Sequence, residues 1–462
     1  MNLSITEIAK AVKGEIINKS TQTDRITSVT TDSRKVPANS LFFAIKGEKF
    51  DGHDFALQTI KDGAVCVIAQ KDAVKRYCLQ DINAWIIAVN DTVQALLDTA
   101  KYFKSQLKNL DKVVAVTGSV GKTTTKEFTA AVLASKYKTQ KSEANYNNEM
   151  GLPYTLFSIE EDTEAAVLEM GMNSFGEIKR LSETANPDTA MIINIGTSHI
   201  EMLGSREGIK KAKFEILDGM SLNSNIILNA DEPLLYCEKN KTGRKEYFFG
   251  INNKDADFIA ENIEIDYIKN TSSFYVDNFK FEIPATGNHS IYDALPALVT
   301  GKVYGLSDVE IQEGFNNFQN AKMRQNIYEF HGITIIDDCY NASKESVLAA
   351  FDVLFGIAEK TNGQKIAVLS DILESGDYSE QIHGDIGQAA AKQNISAYLF
   401  GEKSKAAFDA MSLAGGDCFY SSDKSDIAAI MRAEVKKGDV ILFKASRGMA
   451  VETVLADFKK LF

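Results

Sequence analysis

Short apolar runs alternate with stretches of helical periodicity along most of this chain. The apolar runs predict strands over residues 40–45, 64–68, 85–89, 113–116, 165–168, 190–195, 225–228, 334–336, 365–369, 397–400 and 440–443. The helical periodicity predicts helices over 91–107, from 122 onward, over 205–220 and over 291–303. Strands that alternate with helices are typical of α/β folds with a mostly parallel sheet.

Two segments depart from this alternation. The runs 246–249, 273–276 and 279–283 are short and close together, which predicts an antiparallel insertion or edge. Residues 307–318 are interpreted as a linking segment. The pattern predicts three α/β domains, over residues 1–108, 109–320 and 321–462. The last is Rossmann-like in its alternation, although the chain has no G-x-G-x-x-G dinucleotide fingerprint.

The composition narrows the class of protein. The chain has 462 residues, 44% hydrophobic and 25% charged, which is ordinary for a globular protein. A net charge of -12 argues against a nucleic-acid-binding surface. Five scattered cysteines without a C-x-x-C pair indicate a reducing compartment, not a disulfide framework or zinc site. Without a signal peptide or a bilayer-length apolar run, we expect a cytoplasmic protein with no membrane insertion.

Residues 113–125, V-V-A-V-T-G-S-V-G-K-T-T-T, carry the clearest chemistry. A buried strand, a turn of small residues and a helix start follow one another there. Backbone N–H groups and the helix dipole at such a turn bind phosphate, a lysine adds positive charge, and a threonine hydroxyl reaches Mg²⁺. The usual first glycine of a P-loop is replaced by Val116, which leaves the shorter G-x-x-G-K-T-T form. The sequence predicts that a nucleoside triphosphate is bound by Gly118, Ser119, Val120, Gly121, Lys122, Thr123 and Thr124.

Polar side chains follow the next predicted strands. Glu169 ends one strand and His199 follows another. Ligands of doubly wound sheets bind beyond the carboxyl ends of the strands, so both side chains should face the triphosphate pocket, where they suit a magnesium ion. The amide-rich loop with Asn145, Asn147 and Asn148 offers directional donors and acceptors for a polar ligand.

Three further clusters have a simpler interpretation from composition alone. Segments 31–34 and 46–53 are rich in Gly, Asp and Ser, which are turn residues. Lys210, Lys211 and Lys213 on the predicted helix 205–220 are interpreted as a solvent-facing basic surface.

Several motifs together resemble the ATP-dependent Mur ligases of peptidoglycan precursor synthesis. In chain order they are T-G-S-V-G-K-T-T-T, N-Y-N-N-E-M-G-L-P, L-E-M-G-M, G-T-S-H, A-K-F-E-I, L-N-A-D-E-P, K-M-R and D-D-C-Y-N-A-S. D-S-R and K-G-E-K-F-D-G-H in the first domain look like the uridine-nucleotide domain of this family. N-Y-N-N-E-M-G-L-P and D-D-C-Y-N-A-S resemble the member that uses D-alanyl-D-alanine, and the D-N-P-R element of the preceding member is missing.

The resemblance implies an ordered reaction on UDP-N-acetylmuramoyl-tripeptide. ATP phosphorylates the terminal carboxylate of the peptide to an acyl phosphate, and the amine of D-alanyl-D-alanine attacks it. The products are an amide in a UDP-N-acetylmuramoyl-pentapeptide, ADP and phosphate. We expect a monomer, and both meso-diaminopimelate and L-lysine remain open as the third peptide residue.

The resemblance also implies catalytic roles. Lys122 would neutralise the β- and γ-phosphates, Thr123 and Glu169 would hold Mg²⁺, and His199 would serve a second metal site. Lys213 would be carbamylated and present oxygens to the metal, which replaces its interpretation as a solvent-facing residue. Arg324 and Asp338 would reach the nucleotide from the third domain when the domains close.

The remaining site residues are also implied by the resemblance. Nucleotide contacts are expected from Asn229, His289 and Asp293. Substrate contacts are expected from Ser33, Arg34, Lys46 and Gly47 for the uridine diphosphate, from Asn145, Asn147 and Asn148 for the peptide, and from Asn341. The chain departs from the family's G-x-H-N-x-x-N pattern, because Ser290 and Asp293 replace two asparagines.

Other functions remain open at this point. One is a different ligase of the same fold that adds another amino acid. Another is a P-loop nucleotide-binding module without ligase chemistry, which predicts slow hydrolysis that amines do not affect. A small-molecule kinase is the third, distinguished by phosphate that stays on a stable product.

Overall fold

The computed structural model describes residues 1–21 and 23–462. The N-terminal unit contains strands β1 (Leu3–Ser4), β2 (Glu15–Asn18), β3 (Arg25–Ile26), β4 (Ser28–Thr30), β5 (Ser40–Phe43), β6 (Ala64–Gln70) and β7 (Trp85–Val89). Its helices are α1 (Ile5–Ala11), α2 (Ala56–Lys61), α3 (Lys71–Arg76) and α4 (Thr92–Ser105), with 3₁₀ turns at Gly52–Phe55 and Leu79–Asp81. Its main sheet has the order β2-β7-β6-β5-β4, parallel except for β2.

The central unit contains β8 (Lys112–Thr117), β9 (Thr139–Lys141), β10 (Ala165–Glu169), β11 (Thr189–Ile192), β12 (Asn225–Asn229), β13 (Lys245–Gly250), β14 (Phe258–Ile259), β15 (Glu261–Asp266), β16 (Thr271–Val276) and β17 (Phe279–Ile283). Its helices are α5 (Lys122–Ala134), α6 (Gly151–Phe157), α7 (Glu177–Ala185), α8 (Ile200–Leu203), α9 (Arg206–Phe214), α10 (Pro233–Tyr236), α11 (Asn288–Val303) and α12 (Asp308–Asn316), with a 3₁₀ turn at Glu215–Gly219. A parallel sheet of order β14-β13-β12-β11-β8-β10-β9 forms its centre, and β15-β16-β17 form a separate antiparallel sheet.

The C-terminal unit contains β18 (Asn326–Phe330), β19 (Ile333–Asp337), β20 (Lys365–Leu369), β21 (Ser396–Phe400), β22 (Cys418–Ser421) and β23 (Val440–Lys444). Its helices are α13 (Lys344–Thr361), α14 (Ser379–Lys392), α15 (Lys405–Leu413), α16 (Ile427–Glu434) and α17 (Glu452–Lys460), with 3₁₀ turns at Gly376–Tyr378, Lys424–Asp426 and Arg447–Met449. The sheet order is β18-β19-β23-β20-β21-β22, parallel except for the β18–β19 pair.

Strand β8 shows why the central sheet carries helices on both faces. Val113 and Ala115 contribute to the hydrophobic core on one face, and Val114 and Val116 contribute to the core on the other. Successive side chains of a strand point to opposite faces, so this continuous apolar run is buried on both sides. The α/β fold class predicted from the sequence is confirmed. None of the described helices has the length and apolar character needed to cross a membrane.

Two predictions about the 245–318 region are wrong. The run 246–249 belongs to β13, which is parallel to β12 in the main sheet, and only β15–β17 form the antiparallel insertion. The segment 307–318 is not a linker, because it contains α12. Ser307 and Glu310 form a capping box at its start, and Phe315 packs on Phe128 with ring centroids 5.7 Å apart.

Two further boundaries differ because tertiary contacts override local periodicity. The predicted helix 205–220 ends at Phe214 and continues as a 3₁₀ turn, where the Glu215 carboxylate accepts from Gly176 N at 2.9 Å. The predicted strand 190–195 ends at Ile192, and the following residues turn toward the phosphate loop. The sequence did not predict strands β1–β4, β9, β14, β15, β18 and β22.

Candidate active site

The phosphate loop lies between β8 and α5. Gly121 precedes α5 with a φ of +83°, and a Cβ there would lie 2.1 Å from Asp293 Oδ1. Only glycine fits both this backbone conformation and this close approach. Because α5 begins at Lys122, its first N–H groups have no partners within the helix. The loop therefore has the geometry of an anion site at a helix N-terminus.

Lys122 lies folded back on this loop. Its Nζ donates to Gly118 O at 2.9 Å and Ser119 O at 3.3 Å. Burial lowers the pKa of Lys122, and the nearby Glu169 carboxylate opposes that shift. The ammonium is thus held beside the anion site by two carbonyl oxygens, and the oxygens of a bound phosphate would take their place.

Glu169 joins the phosphate loop to the amide-rich loop. It ends β10 directly opposite Val116 of β8 and is buried. Its Oε2 accepts from Thr123 Oγ1 at 2.9 Å, and its Oε1 accepts from Asn147 Nδ2 at 2.9 Å. The structure thus brings together Thr123, Glu169 and Asn147, each of which the sequence had marked separately.

The three asparagines of the amide-rich loop all line the same cleft. Asn147 is oriented by Glu169, whereas Asn148 Oδ1 accepts from Met150 N at 3.1 Å and Gly151 N at 2.8 Å. Asn148 therefore fixes the start of α6 with its carbonyl oxygen, and its amide nitrogen is the atom left for a ligand.

His199 lies at the start of α8 and faces the C-terminal unit. It has a φ of +62°, and its Nδ1 lies 2.6 Å from Glu374 Oε2. The hydrogen bond from His199 lowers the pKa of the Glu374 carboxyl. His199 lines the cleft, but in this structure one ring nitrogen is engaged by that carboxylate.

Lys213 is buried, so its interpretation as part of a solvent-facing basic surface is wrong. Its side chain points into the central unit from α9, and burial lowers its pKa well below the ordinary value, with a smaller contribution from Lys122. Of its neighbours, Lys211 is exposed, and Lys210 forms an ion pair with Glu238. The apolar residues Ile209, Ala212 and Ile216 are spaced at i, i+3 and i+7, which puts Lys213 at i+4 on the inward face, a signal that the basic-surface interpretation overlooked.

Arg324 reaches the phosphate loop from the start of the C-terminal unit. Its guanidinium donates to Thr123 Oγ1 at 3.4 Å and lies 4.0 Å from the centre of the Tyr340 ring. The residues on either side, Met323 and Gln325, have φ values of +60° and +45°. Such backbone strain is common at functional sites, and here it aims Arg324 at the cleft.

Asp338 holds the segment that carries Arg324. Its Oδ1 accepts from Gln325 N at 3.2 Å, and its Oδ2 accepts from Lys444 Nζ at 2.6 Å. Lys444 is itself buried and also donates to Asn341 O at 3.1 Å. Asp338 and Asn341 both line the cleft.

Asn229, His289 and Asp293 line the cleft on the side of α11. Asp293 is buried, and burial raises its pKa well above the ordinary value; its hydrogen bond from Thr125 Oγ1 is long, at 3.5 Å. Burial lowers the pKa of His289, whose Nε2 contacts Gln325 Oε1. Asn229 Nδ2 donates to Ile193 O at 3.2 Å, so this side chain also supports the loop after β11.

The predicted uridine-nucleotide residues lie apart from this cleft, because Ser33, Arg34, Lys46 and Gly47 are not among its described lining residues. The Arg34 side chain is 86% exposed. It forms a bidentate ion pair with the Asp32 carboxylate, from Nε to Oδ1 at 2.8 Å and from Nη2 to Oδ2 at 2.9 Å. This hydrogen bonding lowers the pKa of the Asp32 carboxyl to about 2. The neighbouring Thr31 N donates to Tyr154 Oη at 2.8 Å, which ties this turn to α6 of the central unit.

The cleft has a volume of about 690 Å³ and lies between the central and C-terminal units. This size is within the range of ligand pockets. The predicted site residues that line it are Ser119, Val120, Gly121, Lys122, Thr123, Thr124, Asn145, Asn147, Asn148, Glu169, His199, Asn229, His289, Asp293, Arg324, Asp338 and Asn341. The sequence did not single out three further lining residues, Asn194, Gln325 and Glu345, whereas Lys444 stood out as a polar residue at the end of a predicted strand.

The residues present fit a magnesium ion bound together with a nucleotide. Thr123 and Glu169 place hydroxyl and carboxylate oxygens 2.9 Å apart beside the phosphate loop. Within residues 1–21 and 23–462, no group of three or more His, Cys, Asp or Glu side chains is arranged to enclose a metal. Mg²⁺ characteristically takes one or two carboxylates and completes its shell with phosphate oxygens and water, which matches this sparse set.

A phosphate loop, a hydroxyl and a carboxylate that suit a magnesium ion, and an arginine from a second unit over the same cleft point to a nucleotide-dependent enzyme of the α/β class. Three family profiles match the chain: Mur ligase family, catalytic domain, over residues 25–109; Mur ligase middle domain, over 116–301; and Mur ligase, glutamate ligase domain, over 323–447. The chain belongs to the Mur ligase family.

Similar proteins agree with this assignment over the full length. The chain is 36% identical over 468 residues to UDP-N-acetylmuramoyl-tripeptide–D-alanyl-D-alanine ligase of Bacillus subtilis (strain 168), with 98% of each chain covered. A crystal structure of MurF from Acinetobacter baumannii superposes with a TM-score of 0.90 at 28% identity, covering 100% of this chain and 99% of that one. MurF ligase from Thermotoga maritima in complex with ADP gives 0.81 at 28% identity, covering 94% and 97%. The family membership predicted from the motifs is confirmed.

Proposed function

We propose that this chain is an ATP-dependent ligase that joins D-alanyl-D-alanine to UDP-N-acetylmuramoyl-tripeptide through an acyl phosphate. The observation that carries this proposal is the contact of Arg324 with Thr123, because it places a cation from the C-terminal unit over the phosphate loop. Full-length similarity to ligases of this name and to a MurF structure with ADP supports the choice of reaction.

The first step is phosphoryl transfer between two anions, so the chain must supply positive charge and fixed geometry. Lys122 leaves the carbonyl groups of Gly118 and Ser119 and neutralises the β- and γ-phosphates. Arg324 reaches the phosphate loop from the C-terminal unit and balances charge on the transferred group. A carboxylate oxygen of the peptide attacks the γ-phosphorus, and ADP leaves.

Thr123 and Glu169 would hold Mg²⁺ in this proposal, and His199 would serve a second metal site. The metal supplies charge neutralisation at the phosphate oxygens. Lys213 is proposed to be carbamylated. Its burial favours the neutral amine, which is the form that reacts with CO₂.

The second step is amide formation. The free amine of D-alanyl-D-alanine attacks the acyl carbon, the C–O bond to phosphate breaks, and inorganic phosphate leaves. Asn145, Asn147, Asn148 and Asn341 line the cleft and are proposed to orient the peptide and dipeptide. Ser33, Arg34, Lys46 and Gly47 are proposed to hold the uridine diphosphate on the N-terminal unit, away from the reacting atoms. We propose domain boundaries near residues 108 and 320, a monomeric state and a cytoplasmic location.

Phosphate release from ATP and Mg²⁺ tests this function when UDP-N-acetylmuramoyl-tripeptide is present with and without D-alanyl-D-alanine. We expect release that requires both substrates, together with a UDP-N-acetylmuramoyl-pentapeptide detected by mass. Running the assay with tripeptides ending in meso-diaminopimelate and in L-lysine identifies the third residue. Release that is indifferent to the dipeptide contradicts the proposal and favours another ligase or a nucleotidase.

A further inference from the structure

The amide side chain of Asn194 makes three hydrogen bonds to the backbone of the phosphate loop. Asn194, two residues beyond β11, accepts at Oδ1 from Ser119 N at 2.8 Å and from Val120 N at 3.0 Å. Its Nδ2 donates back to Val120 O at 2.9 Å. Asn194 therefore binds both N–H and C=O groups of the loop backbone. The N–H groups at the start of α5 are left for phosphate.

Residues 194–199, here named the support segment, contact the loop at a second point. Gly196 N donates to Ser119 Oγ at 2.9 Å. The loop is the short G-x-x-G-K-T-T form and has few residues with which to stabilise itself. Hydrogen bonds from the support segment stabilise it instead. The loop's shape thus depends on where the support segment lies.

The C-terminal unit contacts the support segment at two points, the His199–Glu374 pair described above and Glu345, in the first turn of α13. Glu345 Oε1 accepts from Thr197 N at 2.9 Å, and a Cβ on Gly196 would lie 3.0 Å from Glu345 Cδ. The carboxylate therefore lies flat against the backbone of the segment. Its second oxygen, Oε2, is buried and has no hydrogen-bond partner among the described residues. The Thr197 hydrogen bond is thus what compensates the burial of this carboxylate.

We propose that Asn194 and Glu345 are positioning residues of the ligase reaction. Asn194 holds the phosphate loop in its anion-binding conformation. Glu345 fixes the position of the support segment through its hydrogen bond with Thr197 when the C-terminal unit lies over the cleft. Nucleotide affinity is then linked to the position of the C-terminal unit through a chain of contacts from Glu345 to Thr197, to Asn194 and to the loop. This inference rests on the proposed function for its kinetic readout, but its binding readout needs no acceptor substrate.

The test compares Glu345→Ala with Glu345→Gln, which keeps an acceptor oxygen for Thr197 N. We expect Glu345→Ala to weaken binding of a non-hydrolysable ATP analogue with Mg²⁺, measured by calorimetry, by about tenfold, as for loss of one hydrogen bond to a charged group. Glu345→Gln should stay within about threefold of wild type, because a neutral acceptor remains. The KM for ATP should follow the affinity, and the KM for the UDP-linked peptide should not change.

Asn194→Ala and the double variant test the chain of contacts. Asn194→Ala should weaken analogue binding by tenfold or more, since all three side-chain hydrogen bonds to the loop are lost. If Glu345 acts through the segment, the double variant should be no weaker than Asn194→Ala alone. Tyr378→Phe is the matched control, because it removes a contact between the same two units, Tyr378 Oη to Gly204 O at 3.3 Å, outside the segment.

Three outcomes overturn the inference. They are wild-type affinity in Glu345→Ala, an equal loss in Glu345→Gln, and a double variant whose loss is the product of the two single losses. Should Asn194→Ala fail to fold, the Glu345 pair and Tyr378→Phe still decide the question. If the wild-type protein binds the analogue but makes no amide, the proposed function is contradicted. The binding comparison of the variants still tests the positioning roles in that case.

Discussion

Asp293 stands where the family pattern has asparagine, and its surroundings suit a neutral group. The side chain is 8% exposed and contacts the Gly121 turn, and its long hydrogen bond from Thr125 is a poor partner for a full charge. Burial therefore raises its pKa, although the charge of Arg324 acts in the opposite direction. Replacement by asparagine keeps the shape and removes the cost of ionisation.

The sign of the pH dependence follows from linkage. An unfolded aspartate titrates near pH 4, whereas the folded carboxyl of Asp293 holds its proton to higher pH. Across that window the unfolded state binds fewer protons, so the stability of the wild-type fold falls as pH rises, by up to about 1.4 kcal/mol per pH unit. Below pH 4 both states are protonated and the effect disappears. Asp293→Asn should thus be increasingly more stable than wild type from about pH 4 upward.

Hydrogen–deuterium exchange of α5 and α11 peptides between pH 4 and 8, corrected for intrinsic rates, measures this local stability. The control is Asp231→Asn. Burial tends to raise the pKa of Asp231, but the N–H groups of Ile251, Asn252 and Asn253 outweigh it and lower the pKa. Asp231→Asn should become less stable than wild type as the pH rises toward 4. Above pH 4 the difference in stability should stay constant. A pH-independent gain for Asp293→Asn, or a loss at pH 8, refutes the reasoning.

Further predictions concern the reaction and the fold. Lys122→Ala and Glu169→Ala should each abolish amide formation while the circular dichroism spectrum and the melting temperature stay near wild type. Substantial turnover in either variant contradicts the role assigned to that residue. Lys213→Ala should also be inactive and regain partial activity with a short-chain carboxylic acid that replaces the carbamate oxygens, so unimpaired activity without the acid argues against carbamylation. Ser307→Ala removes the capping box of α12 and should cost about 1 kcal/mol in local stability by hydrogen exchange, with no change in KM for ATP.

The phosphate loop was predictable because its chemistry is local. A buried strand, a glycine turn and a helix start within thirteen residues determine where an anion binds, and Glu169 follows from the rule that parallel strands end at one edge. The fold class followed from the same alternation of strands and helices.

What the sequence did not predict depends on long-range contacts. Asn194 looked like the interior of a strand, and its role depends on the ends of β8 and β11 lying side by side. Lys213 shares the apolar face of its helix with Ile209 and Ala212, and the motif resemblance singled it out, but the burial of its ammonium depends on residues that are distant in sequence. The 307–318 segment has a local helix signal in its Ser307–Glu310 capping box, which the linker interpretation overlooked; the packing of Phe315 on Phe128 is the long-range contact that the sequence did not reveal.

The central claim is amide formation through an acyl phosphate, and the fate of the carboxylate oxygen tests it most directly. The tripeptide is labelled with ¹⁸O in its terminal carboxylate, and the phosphate formed with D-alanyl-D-alanine, ATP and Mg²⁺ is analysed by mass. The account predicts one ¹⁸O in the phosphate for each amide made, because that oxygen attacks the γ-phosphorus and leaves with it. Amide formation with unlabelled phosphate contradicts the account.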